Sequence, residues 1–188
     1  VKKLLFRNFS LLFLLFLSSC GSSDNQFELI GNADVSDGTM IYVLQADQNN
    51  QPYIKDSTSV ESNSFKFKGV SSTPQISYIQ VEGVNGYVLA ILENGDIKAD
   101  IFKDSISKSR VYGTKSNDDF IKYKSETKSL VDVMNNISSD AQNAIMNGDV
   151  VTAMELEKEY NSKEREVMLY EWDFIVDNLD SYMSALLL

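Results

Sequence analysis

Two adjacent carboxylates, Asp118 and Asp119, are the first candidates for chemistry in this sequence. Paired carboxylates can divide acid and base roles when their surroundings push their pKa values apart. The neighbouring residues include nothing that would raise the pKa of one of the two. Because acids are also common in the first turn of a helix, we interpret both as helix-capping residues rather than catalytic ones.

A second candidate is the alternating series Asp47, Asn49 and Gln51, which begins like a calcium-binding loop. The pattern then fails, because Pro52 stands where the loop needs glycine and Thr58 where it needs glutamate. We interpret the series as the polar tip of a hairpin. The sequence therefore predicts no metal site, no cofactor and no catalytic residue.

Aromatic and acidic residues cluster near the end of the chain. Tyr170, Trp172 and Phe174 could form an aromatic platform, but their two-residue spacing spreads them around a helix. We expect Phe174 in the core and Trp172 at an interface. The glutamate-rich series from Glu155 to Glu166 could bind a basic partner, although such a face is usually only solvated.

Composition excludes several classes of function. The 188 residues include no histidine, so Ser-His-Asp and Cys-His catalysis and imidazole metal sites are excluded. The formal net charge of −10 at pH 7 argues against binding to nucleic acid and to anionic lipid head groups. A single cysteine cannot form a Cys-x-x-Cys motif, so we expect no thiol-disulfide exchange by this chain and no enzymatic activity.

That one cysteine, Cys20, follows a short apolar run that is preceded by three cationic residues. This order is typical of a secretory signal, and the run is about half of the roughly 20 residues that a membrane-spanning helix needs. The segment "LSSC" also has the form of a lipobox, in which the thiol takes a diacylglycerol and the cysteine becomes the new N-terminus. The alternative is an ordinary secretory signal with a cysteine after it. We predict lipidation at Cys20, with a flexible tether after it.

The residues from 27 to about 113 have the pattern of short strands separated by turns. Segments such as "SFKFKGV" and "ISYIQVEG" are rich in β-branched and aromatic residues, and several alternate apolar with polar side chains. Asp37-Gly38, Asn85-Gly86 and Asn94-Gly95 are turn signals. Seven or eight such strands predict an antiparallel β-sandwich or open barrel.

The period of the apolar residues changes after Gly113. Positions from Phe120 to Ile145 recur every three or four residues, which is helical spacing. Asn147-Gly148-Asp149 ends that helix and begins a second one. We place Met154, Tyr160, Val167, Met168, Phe174 and Ile175 on the apolar side of this second helix. The fold class is therefore α+β, with the β domain followed by a long antiparallel two-helix hairpin.

A series of short motifs resembles the family called domain of unknown function 4369. The family has an Asp-Ser-Thr strand, a Phe-x-Phe-x-Gly strand, a Glu-Asn-Gly turn and a late Gly-x-x-x-Asn. The positions that fill those motifs here are Asp56, Ser57, Thr58, Phe65, Phe67, Gly69, Glu93, Asn94, Gly95, Gly113 and Asn117.

The resemblance implies a setting for the chain. Such domains stand at the N-terminus of Bacteroidetes lipoproteins, before a thioredoxin-like domain of the alkyl hydroperoxide reductase and thiol-specific antioxidant type. In those proteins the helices end in a phrase with Asn-Pro-Asp-Ser-Tyr, and this chain has Leu179 in place of the proline. No thioredoxin-like segment is present in the sequence, so the resemblance transfers no catalytic residue.

Together these observations predict a lipoprotein signal peptide at 1–19, the lipidated cysteine and tether at 20–26, a β domain at 27–115, and a helical hairpin with a truncated linker at 116–188. We expect a lipid-anchored, non-catalytic module of a thiol-disulfide lipoprotein in the cell envelope, at the outer membrane and facing the periplasm. Its partners would be the membrane, through the anchor, and a protein or the absent thioredoxin-like domain. The alternative is a stand-alone envelope lipoprotein that binds a protein or a glycan.

The anchoring hypothesis leads to a first prediction. A Cys20→Ser change removes the thiol that accepts the lipid, so we expect unprocessed precursor to accumulate and the acylated form to disappear. Mass spectrometry of the membrane fraction checks this result, with the unaltered chain as the control. A soluble mature protein that begins after a different residue contradicts the prediction.

Overall fold

A computed structural model describes residues 25–188, in which eight strands are followed by three helices. The strands are β1 (Gln26–Ala33), β2 (Met40–Ala46), β3 (Pro52–Ser59), β4 (Ser64–Val70), β5 (Gln75–Val81), β6 (Val88–Leu92), β7 (Gly95–Ile101) and β8 (Arg110–Tyr112). The helices are α1 (Lys115–Met146), α2 (Val150–Asp177) and α3 (Tyr182–Leu187). A 3₁₀ turn, Lys103–Lys108, precedes β8. The predicted α+β class is confirmed.

The strands form two four-stranded sheets that enclose one apolar core. The first sheet has the order β4-β1-β7-β8 and the second has the order β3-β2-β5-β6. All neighbours are antiparallel except β1 and β7, which run in the same direction. Alternate residues of both sheets, among them Leu29, Ile41, Ile79 and Ile97, are buried in a single cluster. The arrangement is the expected sandwich, with one parallel pair that the strand patterns did not predict.

Two glycines of the β1–β4 ladder are covered by aromatic rings from the opposite strand. Gly31 pairs with Phe65, and Phe27 pairs with Gly69. A β-carbon on Gly31 would lie 2.1 Å from Cζ of Phe65, and one on Gly69 would lie 2.6 Å from the ring of Phe27. The missing side chains therefore make room for the rings, which is a packing reason for the Phe-x-Phe-x-Gly pattern.

β3 is a strand that the apolar pattern did not indicate. Six of its eight residues are exposed, because it is the edge strand of the second sheet. An edge strand with most side chains in solvent has no apolar alternation to detect. Pro52 stands at its first position, where a missing N–H disturbs the ladder least.

The two long helices run antiparallel, and only one of their starts is capped as expected. Asp149 accepts a hydrogen bond from the backbone N–H of Thr152 at 3.1 Å, and Gly148 has a φ of +76°. This backbone hydrogen bond lowers the pKa of the Asp149 carboxyl. At the start of α1, Thr114 occupies the N-cap position and makes no side-chain cap. Of the two aspartates expected to cap α1, Asp118 lies in the first helical turn, but neither it nor Asp119 occupies the N-cap position.

Helix α3 turns back and packs on both α1 and α2. Met183 is buried there, and the Ser181 hydroxyl accepts a hydrogen bond from the backbone N–H of Met183 at 3.1 Å.

Of the helices in residues 25–188, none is both long enough and apolar enough to cross a membrane.

The covered glycines generate a stability prediction. A Gly31→Ala change puts a methyl group into the buried ring of Phe65, so we expect a loss of about 1–3 kcal/mol in the free energy of unfolding. Urea denaturation followed by circular dichroism measures it. Asn32→Ala, at the next and exposed position of β1, is the matched control and should stay within about 0.5 kcal/mol of the unaltered chain. Equal stabilities for the two variants would rule out the packing role.

Candidate functional site

The β-sandwich and the helical hairpin are joined by the side chain of Asn117, in the first turn of α1. Its Nδ2 donates to the carbonyl oxygen of Ile91 at 2.8 Å, and its Oδ1 accepts from the N–H of Ile91 at 2.9 Å. Ile91 lies in β6, the edge strand of the second sheet. The amide therefore pairs with the strand edge as a neighbouring strand would, and Asn117 itself is buried.

Three further hydrogen bonds fix the start of α1 on the sandwich. Glu93, directly after β6, accepts from the backbone N–H of Ser116 at 2.8 Å and from its hydroxyl at 2.6 Å. Asp118 accepts from the N–H of Gly113 at 2.9 Å. A glutamate from the β domain thus satisfies a free N–H of the first helical turn, and its charge suits that end of the helix.

The two carboxylates first considered for catalysis have separate structural partners. Asp118 accepts the N–H of Gly113, as described above. Asp119 accepts from Lys115 Nζ at 3.0 Å and from the Ser181 hydroxyl at 2.5 Å. The hydrogen bond to Asp119 raises the pKa of the Lys115 ammonium group. Asp119 therefore connects the start of α1 to the segment before α3.

A partly buried aromatic cluster holds the base of the hairpin together. The rings of Tyr123, Tyr170 and Phe174 lie with centroids 6.1–6.4 Å apart. The Tyr123 hydroxyl donates to Glu171 at 2.6 Å, and the Tyr170 hydroxyl donates to Glu126. Phe174 is buried as expected.

The surroundings of both tyrosine hydroxyls raise their pKa values and so favour the protonated form. Burial raises the pKa of Tyr123 to about 12, and its hydrogen bond to Glu171 acts in the same direction. Burial and the hydrogen bond to Glu126 also raise the pKa of Tyr170. Each hydroxyl is therefore a hydrogen-bond donor between the helices at neutral pH.

Helix α2 carries an apolar stripe on the side that faces away from α1. Met168, Trp172 and Val176 recur at four-residue intervals, and Leu169 lies beside them. Trp172 is 55% exposed and Val176 is 65% exposed. We call these four residues the apolar stripe. The sequence pattern places Met168 and Met154 on the apolar side of α2 with Phe174, but both are exposed, so only part of that side is packed.

The remaining sequence candidates do not join this arrangement. Asp47 accepts from the backbone N–H groups of Asn49 and Gln51, both at 2.8 Å, at the tip between β2 and β3. In the part of the chain that the structure describes, no group of three or more carboxylate or thiol side chains could hold a metal ion. Cys20 lies outside the described residues.

The sequence identified Asn117 only as part of a family motif and did not predict its pairing with β6. The Gly-x-x-x-Asn spacing was the available signal, and the structure explains it. Gly113 has a φ of +101°, and a β-carbon there would lie 2.9 Å from the carbonyl oxygen of Asp96. The glycine thus turns the chain out of β8, and four residues later Asn117 reaches the edge of β6.

The hydrogen bonds of Asn117 with Ile91 and of Ser116 with Glu93, which together we call the joint, lead to a stability prediction. Asn117→Ala leaves the N–H and carbonyl of Ile91 without their partner, so we expect a loss of about 2–4 kcal/mol in the free energy of unfolding. Hydrogen exchange of the Ile91 amide should accelerate as well. Asn136→Ala, at an exposed position of α1, is the control. An unchanged exchange rate at Ile91 would contradict the pairing role.

Comparison with known proteins identifies the β domain. The family model described as "Domain of unknown function (DUF4369)" matches residues 27–120. The match begins within β1 and ends in the first turns of α1, so it includes the whole sandwich and the joint. No match was found among curated proteins or solved structures. The chain belongs to the family named domain of unknown function 4369.

Proposed function

We propose that this chain is a lipid-anchored, non-catalytic module of a cell-envelope thiol-disulfide lipoprotein, in which α2 docks a thioredoxin-like protein domain. The observation that carries the proposal is the apolar stripe of Met168, Leu169, Trp172 and Val176. Exposed clusters of large apolar side chains on a soluble domain are typical of protein interaction sites. Tryptophan is also among the residues that most often dominate the binding energy of such sites.

The position of the stripe on the hairpin supports this role. The opposite side of α2 packs on α1 through Tyr170 and Phe174, so the stripe is free to meet a partner. Hydrogen bonds at the base hold the hairpin in one direction relative to the sandwich. A docking surface that is already ordered loses little conformational entropy on binding.

The charges around the stripe define the kind of partner. Asp173 and Asp177 border it on one side and Glu164 on the other. The cation Arg165 lies one turn before Met168 and Leu169. These acids favour a partner with an apolar centre and a basic rim. A second copy of this chain would bring the same acids against each other, which disfavours self-association through α2.

Two features of the sequence also support the proposal, namely the predicted lipid anchor and the family resemblance. The lipobox-like segment at Cys20 predicts attachment to a membrane, and the thioredoxin-like partner comes from the family resemblance. The alternative, a stand-alone envelope lipoprotein with a different protein or glycan ligand, would use the same chain without a thiol-disulfide partner.

The test is capture in cells with a photo-crosslinking amino acid at position 169, next to Trp172. We expect capture of a protein that contains a thioredoxin-like domain with a Cys-x-x-Cys motif. Trp172→Ala should reduce the yield by about tenfold or more, since a central tryptophan contributes about 2 kcal/mol or more. Tyr53→Ala, an exposed aromatic on β3, is the matched control and should leave the yield unchanged.

Three outcomes would contradict the proposal. Capture of a partner that lacks a thioredoxin-like domain favours the stand-alone binding lipoprotein. Crosslinking to a second copy of the chain assigns the stripe to self-association. Equal yields from the Trp172 and Tyr53 variants remove the stripe from the interaction.

A further inference from the structure

A second surface, near the start of α1, has a charge that differs from the rest of the molecule. A groove of about 340 Å³ lies between the start of β6, the 3₁₀ turn, β8 and the first turns of α1. Among the described residues, the side chains that line it include four cations and no carboxylate, namely Lys108, Arg110, Lys124 and Lys128. The whole chain has 27 acidic and 17 basic residues. This local excess of positive charge is therefore opposite to the overall composition.

Two of the four cations are already engaged and two are not. Arg110 forms an ion pair with Asp100 at 2.8 Å, and Lys128 forms one with Asp132. Within residues 25–188, Lys108 and Lys124 have no carboxylate within 4.0 Å. Lys124 instead lies over the ring of Phe120, with Nζ 5.7 Å from the ring centroid. Lys108 and Lys124 are available to an anionic ligand.

The floor of the groove is apolar. Val88, Ile106, Val111 and Ile121 contribute to it, and the exposed Tyr87 also lines the groove. An apolar floor with cationic sides suits a ligand that alternates apolar and acidic groups. A fully polar anion such as inorganic phosphate would leave the floor uncovered.

The backbone of β6 adds a third element of recognition. The N–H and carbonyl of Ile91 point away from β5, because Asn117 binds both of them. Backbone groups two residues apart in a strand point in the same direction, so those of Leu89 also face away from β5. Leu89 lines the groove, and within the described residues β6 has β5 as its hydrogen-bonded strand neighbour, while β8 and α1 lie close to it on the other side of the groove. An extended peptide could pair with this edge, whereas a compact small molecule could not use it.

We propose that the groove binds a short, extended, acidic segment of another protein, which adds to the edge of β6 at Leu89 and directs carboxylates to Lys108 and Lys124. The side chains that point inward would cover the apolar floor. Asn117 closes the edge at Ile91, so it limits the added strand to Val88 and Leu89 at the start of β6.

Fluorescence anisotropy with the purified full chain in detergent tests the proposal. The probe is a fluorescein-labelled, C-terminally amidated peptide of sequence Val-Asp-Val-Glu-Val, and its control carries Asn and Gln in place of Asp and Glu. We expect binding of the acidic peptide, weaker binding in high salt, and about four- to twenty-fivefold weaker binding of the neutral control, which lacks both ion pairs. Equal binding of the two peptides, or binding of neither, overturns the proposal.

Protein variants test the assigned lysines. Lys108→Ala and Lys124→Ala should each weaken binding by about two- to fivefold, as expected for exposed ion pairs. Lys158→Ala, on the exposed side of α2, is the matched control and should leave the affinity unchanged. Equal effects of all three substitutions would indicate a nonspecific charge effect and overturn the assignment.

Backbone pairing is tested with the peptide rather than the protein. Two acidic probes carry N-methyl groups, one at the odd and one at the even peptide positions, so that each lacks the N–H groups along one edge. We expect one probe to bind like the unmodified peptide and the other to lose at least tenfold in affinity. Equal affinities of the two probes contradict strand addition. None of the residues of the apolar stripe lines the groove, so Trp172→Ala should leave peptide binding unchanged. This result separates the peptide-binding proposal from the proposed function.

Discussion

The pairing between Asn117 and Ile91 is the interaction on which the relation between the two halves of the molecule depends. An edge strand has backbone N–H and carbonyl groups without a strand partner, and the first turn of a helix has free N–H groups. Here the helix supplies an amide that satisfies the strand, and Glu93 beside that strand satisfies a helix N–H. Because each half satisfies groups that the other leaves open, the sandwich and the start of the hairpin are held as one unit.

This constraint determines which surfaces of the hairpin meet solvent. With the start of α1 fixed, the contacts of Tyr123 with Tyr170 and Phe174 set the rotation of α2 about its axis. That rotation turns Met168 and Trp172 outward and Phe174 inward. The apolar stripe therefore results from the joint and the aromatic cluster together. A different rotation of α2 would bury the stripe and expose the tyrosines, whose raised pKa values depend on their present burial.

The distribution of charge also follows from the packing of distant segments. The chain is strongly acidic as a whole, and the acids are exposed around the stripe. The 3₁₀ turn, β8 and the first turns of α1 bring cations from separate parts of the sequence to one groove. Net charge alone argues for basic partners everywhere, whereas the groove favours an acidic one. The two proposed surfaces thus select partners of opposite charge, and they lie on different elements of the fold.

Several features of this protein were determined by the sequence alone, because they depend on neighbours only a few residues apart. Gly38, Gly86 and Gly95 have positive φ at the predicted turns, and Asp149 caps α2 as its position indicated. The change from strand to helical periodicity after Gly113 was likewise sufficient for the α+β class. These signals arise from backbone preferences and apolar spacing within one element, which act whatever the rest of the chain does.

The tertiary structure decided the features that involve partners far apart in the sequence. β3 has too few buried side chains to show a pattern, and the parallel pairing of β1 with β7 joins segments about 70 residues apart. The cap from Glu93, the strand-like role of Asn117 and the outward position of Met168 each depend on which surfaces come together when the chain folds. The spacing of apolar residues in a helix indicates which face is apolar. One helix can cover only part of another's circumference, so the packing of α2 against α1 decides which of these apolar residues are buried.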